Sequence, residues 1–251
     1  MAKTARKKAP AKRKTNNRAG QKLERGLKTR DAILDVAEDV IMNEGLGVSL
    51  RRIMVVAGVN VTSINYHFGQ RDKLIEAIVE RRSNIINAER LTLLDQALHR
   101  QNPPSVADIV AAYFEPSFHP SRIGDTGWRN YLRILSRLSL EPGKFYRDLV
   151  HRYYNPVHLR FLDAFRRALP DLPEEEIMWR HHLMHAIAIR AFPTPRPLST
   201  VATGLARRVT PEESLRNVLP LMIHLFAAPP LSSLEAIFGH SRFADNYLSN
   251  K

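Results

Sequence analysis

The 251-residue sequence contains no cysteine, which excludes a disulfide framework, a thiolate metal site and a thiol nucleophile. No apolar run approaches the roughly 20 residues that span a bilayer, and the lysine-rich start has no apolar stretch behind it of the kind a secretory signal carries. A soluble cytoplasmic protein is expected. No segment reads as a strand, and none repeats. Acid is scarce in one place: residues 1–30 hold 12 Lys/Arg against a single acid, Glu24. The remaining 26 basic and 24 acidic residues nearly cancel, so the formal net charge of +13 belongs to one end of the chain.

What is present is apolar helix-forming sequence. With 44% hydrophobic residues the chain can bury a sizeable core. Residues 1–26, basic and interspersed with Ala, Pro, Asn and Gly, cannot bury enough apolar surface to offset their ordering, and a disordered arm is expected. Such an arm either lies along phosphates and releases counterions or serves solubility alone. From Leu27 onward Ile33, Ala37, Val40 and Ile41 recur at helical spacing, and Gly45 is placed to end that helix. Further helices are predicted from Ser49, from Asn60, from Arg71-Asp72 to Pro103-Pro104, and after Ser105. Trp128 to Leu138, Lys144 to Leu169, Pro173 to Ala191 and Thr210 to Ala227 complete the set. Pro156 should kink or split the Lys144 helix, and Thr210-Pro211-Glu212-Glu213 reads as a capping box. The fold predicted is all-α. An N-terminal three-helix domain spans 27–72, a helical bundle 73–228, and a tail 229–251.

Residues Ser49 to Lys73 carry the sharpest signal. A short helix, the turn at Gly58-Val59 and a second short helix ending in Tyr66-His67-Phe68 form a helix-turn-helix, the arrangement that lays one helix in the major groove of duplex DNA. Val61, Thr62, Ser63 and Asn65 expose short side chains at the start of that helix; Thr62, Ser63 and Asn65 are the base-edge candidates. Tyr66, His67 and Lys73 are placed for phosphates. Ser49, Arg51 and Arg52 open the preceding helix and can reach the other phosphate wall. Simpler readings stand beside these: Phe68 is a core aromatic, Tyr66 could be one, and Arg51 and Arg52 could be merely solvated.

Together Ala57-Gly58-Val59, Ile64, Tyr66-His67-Phe68 and Lys73-Leu74 resemble the DNA-binding domain of the TetR family of bacterial transcriptional regulators, over about Lys28 to Val79. Met54-Val55-Val56 departs from the small alanines common there, a change expected to affect packing. The resemblance implies a homodimer whose C-terminal helical domain binds a ligand, with phosphate-contact roles for Tyr66, His67 and Lys73. It also implies that the last two long helices build the intersubunit bundle, through Ile177, Leu183, Met184, Ile187, Leu215, Leu219, Met222, Ile223 and Phe226.

A second resemblance lies in Trp128-Arg129-Asn130-Tyr131-Leu132-Arg133-Ile134-Leu135, Leu169-Pro170-Asp171-Leu172-Pro173 and Ile177-Met178-Trp179-Arg180-His181-His182-Leu183-Met184. These are similar to the fatty-acid-responsive, PsrA-like branch, which would imply a fatty acid or acyl thioester as inducer, with another apolar or aromatic acid as the rival. Trp128, Leu132, Leu135, Tyr153, Phe161 and His185 are candidates to line the pocket, each with plain core packing as the alternative. Arg129 or Arg133 could meet a carboxylate. His181 and His185, four apart on one helix, are spaced as a metal pair might be, yet no glutamate lies between them and no third ligand has diagnostic spacing. No cofactor, no metal and no catalytic step are expected. A ligand-responsive repressor of a pseudo-palindromic operator is the reading, with a sequence-indifferent architectural DNA-binding protein or a helical metalloenzyme as alternatives.

Overall fold

The first helix begins much earlier than its apolar stripe. In the computed structural model, which describes residues 14–60, 62, 66–119, 122, 125–141, 143–191 and 210–230, α1 spans Lys14–Glu44. Residues 14–26, expected to lack structure, are helical. The disorder argument considered only what the arm could bury. Once Ile33, Leu34, Ala37, Val40 and Ile41 are packed, the nucleation cost is already met. Each added Ala, Lys, Arg or Gln then propagates the helix cheaply. Lys28 Nζ reaching Glu24 Oε1 at 2.8 Å adds a favourable pair one turn apart. Gly45, at φ 98, ends α1 with its amide donating to the Ile41 carbonyl at 2.9 Å.

Contacts divide the chain into two compact units, residues 1–74 and 75–251. In the first, α2 (Leu50–Ala57) is capped by Ser49, whose side chain accepts from the Arg52 amide. It ends at Gly58 in the left-handed conformation, φ 64. That conformation strains any residue with a Cβ, and it lets the amides of Gly58 and Val59 donate to Val55 and Met54 carbonyls at 3.3 and 3.2 Å. Ile53, Met54, Val48, Phe68 and Leu74 join the α1 stripe in this unit's core. Val55 and Val56 are exposed, so of the three bulky residues noted above only Met54 changes the packing.

α3 (Arg71–Arg100) supplies Leu74 to the first unit and the rest of its length to the second. After it come α4 (Val106–Phe114), a 3-10 turn at Glu115–Phe118, α5 (Thr126–Leu138), α6 (Lys144–Tyr153), α7 (Asn155–Ala168), α8 (Glu174–Ala191) and α9 (Pro211–Ala227). The proline effect is the expected one: the chain breaks at Tyr154, and Pro156 stands in the first turn of α7, where its missing N–H costs nothing. Thr210 and Glu213 form the full reciprocal capping box at the start of α9. Every described element is helical.

The second core gathers Ile109, Val110, Tyr113 and Phe114 from α4, Phe161 and Phe165 from α7, Ile177 and Met184 from α8, and Met222 and Phe226 from α9. Phe165 and Phe226 stack with ring centres 3.8 Å apart and planes 4° from parallel. This corrects the expected intersubunit surface, because Ile177, Met184, Met222 and Phe226 face their own protomer's core. Apolar residues circle α8 almost completely, so spacing alone could not say which stripe turned inward. The apolar residues left outside are Met178, Trp179, Leu183 and Leu221, with Trp179 56% exposed.

Arg180 ties α8 to the end of α9. Its Nη1 donates to the carbonyls of Leu225, Phe226 and Ala228 at 3.1, 2.9 and 2.7 Å. Its Nη2 donates to Pro229 O and Glu176 Oε2, both at 2.9 Å. A helix leaves its last carbonyls without partners and its C-terminus partly negative, and one guanidinium answers both.

Candidate functional site

Around the helix-turn-helix the side chains divide into those that dock the motif and those that face outward. Phe68 is buried with the Arg30 guanidinium 5.6 Å from its ring centre. Tyr66, two residues earlier, is 84% exposed; the core-aromatic reading holds for Phe68 and not for Tyr66. His67 is half-buried between them, edge-on to Tyr66 at 5.1 Å. Thr62 and Lys73 are exposed. Val61, Ser63 and Asn65 lie outside the described residues.

On α2 the Ser49 hydroxyl accepts from the Arg52 amide at 3.2 Å, so its cap role is occupied. Arg51 is exposed. Arg52 has a different occupation from the one expected: its Nε meets both carboxylate oxygens of Glu44 at 2.9 and 3.1 Å. That fork neutralises its charge and braces the end of α1, because two acceptor oxygens match the guanidinium's planar donors. Ser49→Ala should destabilise the first unit by about 1 kcal/mol through loss of the cap, read as faster amide exchange in α2. An unchanged exchange rate there would deny the cap any energetic weight. The Arg52–Glu44 pair is half exposed and should matter less.

The second unit encloses a small cavity of about 30 Å³, lined on its polar side by Arg90, Tyr113, Ser117, Tyr131, Tyr146, Tyr154 and His185, and on its apolar side by Leu132, Leu135 and Val150 among others. That space admits one or two waters. Of the six side chains expected to line a pocket, Leu132, Leu135 and His185 meet here, and the other three do not. Trp128 is clamped between the guanidinium groups of Arg82 and Arg122, 5.3 and 4.5 Å from its ring. Arg122 in turn holds Glu89, keeping that carboxyl below its usual range. Tyr153 donates its hydroxyl to Glu76 at 3.3 Å. Phe161 stands edge-on to Tyr113 at 5.1 Å, inside the core.

Arg129 is exposed on Thr126, 3.2 Å away, and Arg133 is half-buried; neither lines the cavity. The arginine that does is Arg90, which sequence reasoning missed. It lies in a buried row with Ile86 and Leu94, four residues to either side on α3. A cation on an apolar stripe was the available signal. Ile85, expected on that stripe, is exposed.

Against this wall stand three imidazoles. His158 Nδ1 and His181 Nε2 are 3.3 Å apart, the His158 and His185 rings cross at 84° with centres 4.5 Å apart, and His185 Nδ1 is 2.7 Å from the Tyr113 hydroxyl. Burial keeps all three neutral. His181 is lowered to about 4 and His185 to about 3, while His158 falls well below the imidazole range, with His185, His181 and Arg90 adding to the desolvation. They bond to one another and to Tyr113. Among the described residues, no group of three His, Asp or Glu is arranged to hold a metal ion, and no helix is long and apolar enough to cross a membrane.

Two family models match the chain. Residues 33–78 match the bacterial regulatory proteins of the tetR family, and residues 111–224 match the tetracyclin repressor-like C-terminal domain. Among solved structures, the fold is similar to a tetR-family regulatory protein from Rhodococcus RHA1, at 15% identity and TM-score 0.55, covering 79% of this chain and 97% of that one. It is also similar to Salmonella enterica GusR, at 16% identity and TM-score 0.52, covering 80% and 97%. No protein of curated function matches in sequence.

Proposed function

Since this chain belongs to the TetR family of bacterial regulatory proteins, whose members are generally ligand-responsive DNA-binding repressors, we propose that it is a homodimeric repressor released from a pseudo-palindromic operator by a small apolar acid, either a fatty acid or its acyl thioester. One observation carries the DNA-binding half. Within three residues, Phe68 is buried and Tyr66 stands in solvent, as a groove-docking helix end requires. Thr62, with Val61, Ser63 and Asn65 beside it in sequence, would read base edges, while Tyr66, His67, Lys73, Ser49 and Arg51 would meet phosphates. Arg52, held by Glu44, contributes less.

Dimerisation is supported by Met178, Trp179, Leu183 and Leu221, an apolar set that stays exposed on the protomer and lies on the two helices assigned to the interface. Two copies place two recognition helices on one operator, which is how a short helix attains adequate specificity. The ligand half rests on the cavity of the second unit, whose polar wall and apolar wall suit an amphipathic acid. To release the operator, the ligand must bind more tightly to a form that fits DNA poorly.

The experiment is a titration of the protein against DNA from upstream of its own gene and against random duplex, at several salt concentrations. A preference of roughly 10³ or more for the upstream DNA is expected, and equal affinity for both would favour the architectural alternative. Lys73→Ala should weaken binding to both duplexes by the same factor and lower the salt slope by about 0.9. A Lys73→Ala protein that loses preference but keeps its salt slope would place Lys73 on a base instead.

A further inference from the structure

Arg90 is a buried cation without a counter-charge. It is 6% exposed and forms no ion pair among the described residues. Its Nε donates to the Tyr113 carbonyl at 2.9 Å, its Nη1 reaches Asn87 Oδ1 at 3.4 Å, and the guanidinium lies 4.1 Å from the Tyr113 ring centre. These partners are neutral, and Nη2 donates no hydrogen bond to any described residue. Asn87 is itself committed through Nδ2 to the Tyr153 carbonyl at 2.7 Å, so it is held in place as an acceptor and cannot supply charge.

Retaining an uncompensated guanidinium in a helical core is costly, because an arginine does not shed its proton. The other buried arginines have anions: Arg122 pairs with Glu89 and Arg180 with Glu176. Arg90 instead lines the cavity, whose remaining polar groups are hydroxyls of Tyr113, Ser117, Tyr131, Tyr146 and Tyr154 and the imidazole of His185. None of these is an anion near neutral pH. Burial holds the phenols of Tyr113, Tyr146 and Tyr154 above their ordinary range, and His185 is neutral. The site is therefore a positive pocket rich in hydroxyl donors, closed on one side by Leu132, Leu135 and Val150.

We propose that Arg90 is the headgroup anchor of an anion site in the second unit, taking the carboxylate of a free organic acid, with the tyrosine hydroxyls as further donors and the leucine and valine wall receiving the acid's apolar body. This rests on the ligand-responsive reading and narrows it, because a free carboxylate neutralises Arg90 whereas a thioester, which has no charge at that carbon, leaves the guanidinium unpaired. A carboxylate also accepts a planar pair of guanidinium hydrogen bonds. The present cavity holds water-sized occupants only, so admitting the acid displaces Leu132, Leu135, Tyr146 or Val150 outward.

The test measures binding directly by calorimetry and by thermal shift, without DNA, so that it can fail independently of the repressor reading. The probes are octanoate, hexadecanoate and benzoate, each against its methyl ester, with wild type, Arg90→Met and Arg90→Lys. At least one acid should bind wild type about 10- to 100-fold more tightly than its ester, the worth of a charged hydrogen bond. Arg90→Met should erase that difference while melting no lower than wild type, and Arg90→Lys should retain part of it. The proposal is overturned if no acid binds, if esters bind as well as acids, or if Arg90→Met keeps the acid preference. A folded Arg90→Met protein that binds upstream DNA normally but no longer responds to the acid would confirm the site and the regulator together. Loss of DNA binding by wild type with acid preference intact would overturn only the regulator.

Discussion

Arg180→Met should destabilise the second unit by about 3–5 kcal/mol, the cost of removing one partner from a buried ion pair. The substitution leaves the Glu176 carboxylate buried without its cation and frees the carbonyls of Leu225, Phe226, Ala228 and Pro229 that share the guanidinium. Phe226 stacks on Phe165, so loosening the end of α9 also disturbs the aromatic contact with α7. Urea unfolding monitored by tryptophan fluorescence would read the loss. A Glu176→Leu/Arg180→Met double variant should recover part of it, because the orphaned charge is gone while the carbonyls stay unsatisfied. A single-variant loss below about 1 kcal/mol would show that water replaces the guanidinium at that helix end, contrary to its burial.

Acid should unfold the same unit early. His158, His181 and His185 all have folded pKa values below the unfolded imidazole's, by burial first and by one another and Arg90 next. The unfolded chain then binds more protons than the folded one once pH drops beneath about 6.5. Their contribution is complete above that pH and is lost as pH falls, through about 4 for His181 and about 3 for His185. At pH 5, one and a half units below the unfolded value, each imidazole should have surrendered about 2 kcal/mol. The three together reach a size comparable to a domain's whole stability. Carboxylates scarcely titrate between pH 6.5 and 5, so the slope of unfolding free energy over that window isolates the histidines. Replacing His158 with Leu should flatten it by about a third. A flat slope in the wild-type protein would mean that these rings gain protons in place without cost.

Both predictions concern groups that spacing alone undervalued. Arg180 reads in sequence as one more cation on a mixed helix, and His181 with His185 as a pair of uncertain purpose. Only packing shows that the first caps another helix 45 residues away and that the second pair meets His158. Arg90 is a parallel case, since a single cation between Ile86 and Leu94 looks like a flaw in the stripe until its surroundings prove to be phenols and imidazole.

The helix ends needed no such help. Ser49, Ser105, Thr210 with Glu213, Pro156 and Gly58 act through backbone groups within a few residues, and each does so where the sequence places it. Local chemistry of this kind, together with the 3.6-residue apolar period, determined by itself that the chain is helical, that its helices begin and stop roughly where they do, and that a helix-turn-helix precedes a bundle. Tertiary structure alone decided which stripe of α8 became core, which arginine faced the cavity, that Arg52 would be drawn to Glu44, and that α1 would carry residues 14–26 into its helix. The reason is physical: capping and periodicity depend on neighbours within a turn or two. Burial of a charge, or the choice between two apolar faces, depends on contacts between residues far apart in the chain, and those exist only after the helices have packed.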